Sequence, residues 1–382
     1  MAAPIIEAIE PLQALASELA NDEALAFDLE GDGLYRYRSQ LCAVQLATAE
    51  GDVRIIDTLA VTDRSPLVSL LGPSGPRKTV HDVSFDARLL AENGVELGNV
   101  FDTSVSARYL DEPKAGLGAL VEKYLDIKLP KGKQKADWGR RPLEPADLEY
   151  LAADVRYLLE LGARLEHAIQ EAGIEGEVRA ETDYMLYRAL TDEPDPRPAW
   201  ARIKGMDDLG DGELAILREV AAVREEAAQA ADVPPFKIVG NHELLEMARR
   251  RPKSKGALAK IPGATRGRAR RFTREFLDAI QKGIDAGEVP AAEREIAFPT
   301  PPPRAERQVV KQRERALTKW RDAEAKQRKV NRQVVLPGHC VRDLATHRPF
   351  SADELREVPG LGEVRVERYG AALLKALDDA ER

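Results

Sequence analysis

The pattern of hydrophobic and polar positions changes from strand-like to helical within the first half of the chain. Short apolar or alternating runs predict β-strands at Ala24–Glu30, Gln40–Thr48, Val53–Asp57 and Lys78–His81. Apolar residues at helical spacing then predict helices at Phe85–Asn93, Leu117–Leu125 and Ala146–Ala168. Strands followed by helices indicate an α/β domain in which helices pack against a sheet.

Two proline-rich segments, 193–198 and 299–303, separate this part of the chain from two helical blocks. Proline fixes φ and lacks an amide N–H, so such segments favour extended linkers over packed elements. The two blocks repeat each other with an offset of 97 residues. The matching positions include Arg251-Pro252 with Arg348-Pro349, Pro262-Gly263 with Pro359-Gly360, and Arg224 with Arg321. One helical module present twice is the simplest explanation.

Charge is distributed unevenly between the two halves. The 382 residues carry 57 basic and 65 acidic side chains, a net charge of −8. Residues 1–200 carry 21 basic and 36 acidic side chains, whereas residues 201–382 carry 36 and 29. This division predicts carboxylates for chemistry or metal binding in the first half and cations for an anionic partner in the second.

Cysteine content and hydropathy limit the class of protein. Cys42 and Cys340 are the only cysteines, so the sequence has neither a disulfide framework nor a CxxC zinc motif. The N-terminus lacks the pattern of a signal peptide, and no run of about 20 apolar residues predicts a membrane span. We therefore expect a cytoplasmic protein without membrane association, and no obligate protein partner is indicated.

Two carboxylates interrupt the first predicted strand. Asp28 and Glu30 are two residues apart, so both side chains leave the same face of the strand. Burial of unpaired charge is strongly unfavourable, and a divalent cation would offset it. A polar strand end leading into the segment 31–33 explains this pair equally well.

Further candidate side chains occur at two later positions. Asp86 falls in the first turn of a predicted helix, where a carboxylate also complements the helix dipole. Asp82, four residues earlier, competes with it and is also suited to a turn. Tyr150 and Asp154 share one helix face, although a surface hydrogen bond between them would explain that pair alone.

Taken jointly, these carboxylates and the tyrosine indicate a metal site. Oxygen ligands suit hard cations such as Mg²⁺ or Mn²⁺. Two such cations would activate a water molecule and stabilise the leaving oxygen of a phosphoryl displacement. The pattern therefore favours hydrolysis of a phosphodiester.

Three short motifs in this order resemble those of a known enzyme family. Phe27-Asp-Leu-Glu30, His81-Asp-Val-Ser-Phe-Asp86 and Tyr150-Leu-Ala-Ala-Asp154 resemble the three exonuclease motifs of the DEDDy 3′–5′ exonucleases. Ala136-Asp-Trp-Gly-Arg-Arg-Pro-Leu143 and Gly116-Leu-Gly-Ala-Leu-Val-Glu-Lys-Tyr124 resemble the ribonuclease D family in particular. The repeated modules resemble HRDC (helicase and RNase D C-terminal) domains, the first of them through Asp232-Val-Pro-Pro-Phe236 and Asn241-His-Glu-Leu-Leu245.

The resemblance implies a fold and a mechanism. It implies an exonuclease domain over 1–195 with a ribonuclease H-like mixed sheet flanked by helices, and all-α HRDC modules over 205–290 and 305–382. It implies two divalent ions, Mg²⁺ or Mn²⁺, held by Asp28, Glu30, Asp86 and Asp154, with Tyr150 orienting the attacking water. Nucleoside 5′-monophosphates would then be released from the 3′ ends of structured RNA such as tRNA precursors. The family often carries Asn where this chain has Asp82, whereas Asp86 keeps the family position.

Two basic segments are candidates for RNA binding. Residues 249–274 contain eleven Lys or Arg and no Asp or Glu, a pattern typical of phosphate binding, with a merely solubilising surface as the alternative. A second run, from Lys128 through Lys131 to Arg141, precedes the third motif and is predicted to form a wall of the active-site cleft. The candidate RNA-binding residues are Lys133, Arg140, Arg141, Arg249, Arg250, Arg251, Lys253, Arg268, Arg270 and Arg271.

Two further features leave alternatives open. Trp138 is a candidate either for stacking on a base or for packing in the core. The segment Val358-Pro-Gly-Leu-Gly362 resembles a helix–hairpin–helix turn that meets phosphate, and an ordinary turn between helices explains it equally well.

The sequence therefore predicts a metal-dependent 3′–5′ exoribonuclease that trims tRNA precursors and other structured RNA. A DNA exonuclease of the same class is the first alternative, because no residue is identifiable as a sensor of the 2′-hydroxyl group. A nucleic-acid-binding protein with a non-catalytic acidic site is the second.

Overall fold

The computed structural model describes residues 3–130 and 132–381. The first part of the chain forms a mixed β-sheet. Its strands are β1 (Ile5–Ile6), β2 (Ala24–Gly31), β3 (Leu41–Ala47), β4 (Val53–Asp57), β5 (Arg77–Val80) and β6 (Val100–Asp102). Within the described residues their order is β1-β4-β3-β2-β5-β6. The central strand β2 is antiparallel to β3 and parallel to β5, so the sheet is mixed, as expected.

The helices of this part precede, separate and follow the strands. They are α1 (Ile9–Leu19), α2 (Ser65–Leu71), α3 (Val83–Glu92), α4 (Thr103–Tyr109), α5 (Leu117–Leu125), α6 (Pro145–Arg156), α7 (Leu158–Glu171) and α8 (Glu175–Thr191). The four strands and the helices near 85–93 and 117–125 that the pattern predicts are confirmed within a few residues. β1 and β6 have two and three residues, too few to produce a recognisable alternation.

The prediction of one helix over Ala146–Ala168 is wrong, because the chain forms α6 and α7 with a break at Tyr157. The backbone of Tyr157 leaves the helical region at φ −109° and ψ 1°. Neither Pro nor Gly marks this break, and the apolar spacing continues across it. After the break, α7 runs in a direction that packs Gly162 against Thr79 of β5. There is no room for a side chain at Gly162, because its Cβ atom would lie 2.8 Å from the threonine methyl group.

Different helices cover the two faces of β2. Phe27 and Leu29 belong to the apolar core that α1, α2 and α3 form on one face. Ala26 belongs to the core formed with α6 on the other face. Because side chains alternate along a strand, Asp28 and Glu30 lie on the α6 face with Ala26.

The first helical module follows the sheet domain. It contains α9 (Asp211–Ala230), α10 (Asn241–Arg250), α11 (Lys255–Leu258), α12 (Thr273–Ala286) and α13 (Ala291–Ala297), with short 3₁₀ turns at Ala199–Arg202, Met206–Asp208, Pro235–Lys237 and Gly267–Phe272. Residues 32–40, between β2 and β3, form one compact unit with residues 193–301. Within this unit the Tyr37 hydroxyl group donates a hydrogen bond of 3.3 Å to Glu225, and its amide donates one of 3.2 Å to Asp232.

The second helical module contains α14 (Arg304–Arg328), α15 (Arg332–Val335), α16 (Gly338–His347), α17 (Ala352–Arg356) and α18 (Glu363–Ala380). It belongs to the compact unit that also contains the sheet. The predicted repeat is confirmed, because α10 and α16 begin and end at positions 97 residues apart. Both helices end at a left-handed arginine, Arg251 at φ 48° and Arg348 at φ 52°. Arg224 and Arg321, matched by the same offset, are both buried.

A buried arginine joins the second module to the sheet domain within their shared unit. Arg365 is fully buried and donates hydrogen bonds to the carbonyl oxygen of Val334 at 2.9 Å and to the Tyr109 hydroxyl group at 3.3 Å. The turn at 358–362 packs beside it, since a Cβ atom on Gly360 would collide with His339 and would lie 2.8 Å from Tyr184 of α8. This close packing favours the interpretation of the segment as a turn between helices rather than as a phosphate-binding turn.

Candidate active site

Strand β2 presents the first two carboxylates to the α6 face. One carboxylate oxygen from each of Asp28, Glu30 and Asp154 lies within 4.8 Å of the other two, which makes these residues a candidate metal cluster. Asp28 and Glu30 are paired with Gln45 and Ala43 of β3, whereas the pairing of β2 with β5 ends at Ala26, so both carboxylates lie beyond the last β5 pair. A bulge in the pairing with β3 follows directly after Glu30.

Helix α3 places Asp86 in the same cleft. The buried side chain of Asp102 accepts hydrogen bonds from the amides of Asp82 at 3.1 Å and Val83 at 2.9 Å, which fixes the start of the helix. Asp86 is 5% exposed and lies in the first turn of α3, as predicted. Asp82 precedes the helix with a left-handed φ of 69° and an exposed side chain. Both residues line the cleft.

Helix α6 presents Tyr150 and Asp154 from successive turns. The helix begins with reciprocal hydrogen bonds between Glu144 and Asp147, and Pro145 occupies its first position. Tyr150 is 7% exposed and shares a hydrogen bond with Asp154, whose pKa this bond lowers. The two residues therefore form part of the acidic cluster, not a surface pair.

The carboxyl groups of the cleft have raised pKa values. Burial, and next the charge of Asp154, raises the pKa of Asp28 to about 8. Burial and the charges of Asp28 and Asp154 raise the pKa of Glu30 to about 9. Burial raises the pKa of Asp154 to about 6, and burial followed by the charge of Asp28 raises the pKa of Asp86 well above its usual range. In the described part of the chain, no cationic side chain contributes to any of these shifts.

This arrangement fits divalent cations. The donor set consists of carboxylate oxygens, which hard cations prefer. Mutual repulsion and burial make four ionised carboxylates unfavourable without a compensating positive charge. The residues present could therefore hold a metal ion, and a polar strand end alone would not explain such convergence.

A cleft of about 1010 Å³ opens over the carboxylates. Lys114 and Lys128 line it and place positive charge near its acidic centre. Phe85 also lines the cleft, and its side chain is 55% exposed. The sequence reasoning did not single out Phe85 or Lys114, and the only signal for Phe85 was its position beside Asp86.

The basic run before α6 forms part of the cleft wall, through residues that include Lys128, Leu129, Pro130 and Gly132. Lys131 lies outside the described residues. Lys133 and Arg140 bind the buried Asp147 of α6, at 2.6 Å and 3.3 Å. These ion pairs attach the segment to the start of α6.

Two candidate residues in this run have internal contacts. Arg141 binds the buried carboxylate of Asp57 at 2.7 Å and the carbonyl oxygen of Cys42 at 2.7 Å, contacts typical of a structural residue. Trp138 is 2% exposed, with its ring centroid 5.8 Å from that of Tyr150. It therefore packs in the core beside the site and is not available to stack on a base.

The basic segment 249–274 lies in the first helical module, and all eleven of its cations are exposed. Arg249 and Arg250 flank Glu246 at 3.6 Å and 2.5 Å, so part of their charge is balanced. The remaining candidates there, Arg251, Lys253, Arg268, Arg270 and Arg271, are exposed as well. No helix in the described residues combines the length and hydropathy needed to cross a membrane.

Models of two protein families match most of the chain. A model described as 3′–5′ exonuclease matches residues 4–170, the part that carries the acidic cluster. A model described as HRDC domain matches twice, at residues 213–280 and 310–377. The two HRDC matches are 97 residues apart, which agrees with the repeat observed in sequence and structure.

Two relatives and one solved structure match most of the chain. The chain is 31% identical over 337 residues to ribonuclease D of Pseudomonas paraeruginosa, which covers 85% of both chains. It is 31% identical over 262 residues to ribonuclease D of Haemophilus influenzae, covering 68% of this chain and 65% of that protein. The crystal structure of Escherichia coli RNase D, described as an exoribonuclease involved in structured RNA processing, matches with a TM-score of 0.69 and 26% identity over 99% of both chains.

Proposed function

Since this chain belongs to the ribonuclease D family of 3′–5′ exoribonucleases, we propose that it shortens RNA from the 3′ end with the help of two divalent cations, Mg²⁺ or Mn²⁺. The observation that carries the proposal is the convergence of Asp28, Glu30 and Asp154 within 4.8 Å in a cleft that Asp86 and Tyr150 also line. The products would be nucleoside 5′-monophosphates.

Asp28, Glu30, Asp86 and Asp154 would hold the cations. All four side chains line the cleft, and a cation would offset the burial and the neighbouring negative charges that raise their pKa values. Asp86 is preferred to Asp82 because it is buried beside the other carboxylates, whereas the side chain of Asp82 is exposed. When bound, the cations would supply activation of a water molecule and stabilisation of charge on the departing oxygen.

Tyr150 would orient the attacking water. Burial, and then the charges of Asp154, Glu30 and Asp28, raise the pKa of its phenol above the usual range, so the hydroxyl group keeps its proton. Its hydrogen bond with Asp154 fixes the hydroxyl group and leaves an oxygen lone pair to accept a hydrogen bond from water. Tyr150 would therefore position the water through its hydroxyl group.

The cleft suits the end of a single strand. The exposed ring of Phe85 offers a surface on which a base can stack. Lys114 and Lys128 are placed to meet phosphates that approach the acidic centre. We extend the proposal to structured RNA such as tRNA precursors, for which the description of Escherichia coli RNase D gives support. The cytoplasmic location expected from the sequence stays a prediction.

Matched RNA and DNA substrates test the choice of nucleic acid. With Mg²⁺ present, we expect single-stranded RNA to be degraded faster than DNA of the same sequence by roughly tenfold or more. A labelled tRNA with a 3′ extension should be shortened stepwise, with 5′-monophosphates identified by chromatography and with no products in the presence of chelator. Faster cleavage of DNA would favour the alternative of a DNA exonuclease.

The exposed basic segment of the first helical module is proposed to bind RNA phosphates. Replacing the three arginines at 249–251 with glutamine should weaken RNA binding by about tenfold. The slope of log affinity against log salt concentration should become smaller by about 2, because each lost phosphate contact lowers the slope by about 0.7. Fluorescence anisotropy at several salt concentrations measures both quantities.

A matched triple substitution controls for overall charge. Arg304, Arg307 and Lys311 are exposed on α14, in a segment where basic and acidic residues are mixed. Their replacement with glutamine should leave the salt slope closer to that of the unaltered protein. An equal effect of both triple substitutions would show that net charge, and not the surface at 249–274, governs RNA binding.

A further inference from the structure

Gln45 of β3 is a buried amide with no hydrogen bond to either of its polar side-chain atoms. Its side chain is fully buried, and neither the amide nitrogen nor the amide oxygen has a partner within the described residues. A buried amide without partners is unfavourable compared with an apolar side chain of the same size. The amide of Gln45 therefore forms no hydrogen bond with the acidic cluster.

The sheet register places Gln45 beside the acidic cluster. Gln45 pairs directly with Asp28 of β2, so the two side chains leave the same face of neighbouring strands. Cβ atoms of directly paired residues lie about 4.5–5.5 Å apart, within reach of a glutamine side chain. On the other side Gln45 pairs with Ile55 of β4, which cannot accept a hydrogen bond through its side chain.

Apolar side chains lie next to Gln45 along its strand and on the helix that covers this face. Ala43 and Ala47 share its face along β3, and both are buried. Helix α6 covers this face with Leu151 and Val155, each fully buried. Of these neighbours, Asp28 alone offers a side-chain partner to the amide.

A second buried donor lies beside the neighbouring carboxylate. The indole N–H of Trp138 lowers the pKa of Glu30 through a side-chain hydrogen bond. Glu30 thus has a neutral, buried donor that contacts it, whereas the amide of Gln45 beside Asp28 has no hydrogen-bond partner within the described residues. Neutral donors can orient a carboxylate without competing with a cation for its charge.

We propose that Gln45 is a positioning residue that donates a hydrogen bond from its amide to the carboxylate of Asp28 in the cation-loaded site and thereby holds the ligand oxygen toward the cation. This inference rests on the proposed function, since it requires Asp28 to bind a divalent cation. A structural role of the amide would instead require a hydrogen bond that is present without cations.

The substitution Gln45→Met tests the proposal, because methionine has a similar length and no hydrogen-bond donor. We expect the dissociation constant for Mn²⁺, measured by calorimetry, to increase by about 10- to 100-fold, with a matching increase in the cation concentration that supports half-maximal cleavage. The KM for RNA should change less than kcat does. In chelator the melting temperature should be unchanged or higher, since an unpartnered amide has been removed.

Controls separate this proposal from the proposed function. Gln13→Met makes the same change at an exposed position of α1 and should leave Mn²⁺ binding unchanged. Gln45→Leu should reproduce the effect of Gln45→Met. Unchanged Mn²⁺ binding in both Gln45 variants, or a lower melting temperature in chelator, would overturn the role of Gln45. If Asp28→Asn loses Mn²⁺ binding and the Gln45 variants do not, the role of Gln45 is overturned and the proposed function still holds.

Discussion

Replacement of Asp28 with asparagine is expected to lower the rate of RNA cleavage by at least about 10³-fold while RNA binding is retained. The substitution keeps the size of the side chain and removes one negative charge from the cluster of Asp28, Glu30 and Asp154. Single-turnover cleavage of a labelled RNA and anisotropy binding in chelator measure the two quantities separately.

Asp52→Asn is a matched control for this substitution. Asp52 lies in the turn between β3 and β4 with its side chain 68% exposed, outside the cleft. Its replacement should leave cleavage unchanged. Full activity of Asp28→Asn would instead favour the alternative of a nucleic-acid-binding protein whose acidic site has no catalytic role.

Without cations, the protein should lose stability as pH rises from about 4 to about 9. The pKa values of Asp28 and Glu30 are raised to about 8 and about 9 in the folded protein, above those of the unfolded chain. Between these limits the unfolded chain has released protons that the folded protein still binds, so a higher pH favours unfolding. The stabilisation is complete below the unfolded pKa values and is lost as pH rises through the folded values.

Differential scanning fluorimetry in chelator measures this loss. We expect the melting temperature to fall by roughly 5 °C or more between about pH 5 and about pH 9, and Mn²⁺ to reverse more of the fall at the higher pH. Other groups also titrate in this range, so the comparison is with the double variant Asp28→Asn, Glu30→Gln. That variant should show a flatter dependence and a smaller response to Mn²⁺. Parallel curves for the two proteins would contradict the assignment of the raised pKa values to this cluster.

The sequence by itself determined much of the local structure. The alternation along Ala24–Glu30 placed Asp28 and Glu30 on one face, and the helical spacing placed Tyr150 and Asp154 on another, as the structure confirms. The repeat at 97 residues predicted two modules whose equivalent helices have the same relative bounds. These features depend on periodicity and on turn residues, which act over a few positions and can be read along the chain.

Only the tertiary structure decided which of these residues meet. The capping of α3 by Asp102 buries Asp86 and leaves Asp82 exposed, although both carboxylates follow the same strand. The ion pair between Arg141 and Asp57 joins positions 84 residues apart. The pairing of Gln45 with Asp28 depends on strand register, and a shift of one residue would have placed the amide on the opposite face. Such contacts are set by the packing of distant segments, and no local pattern of hydrophobic and polar residues encodes them.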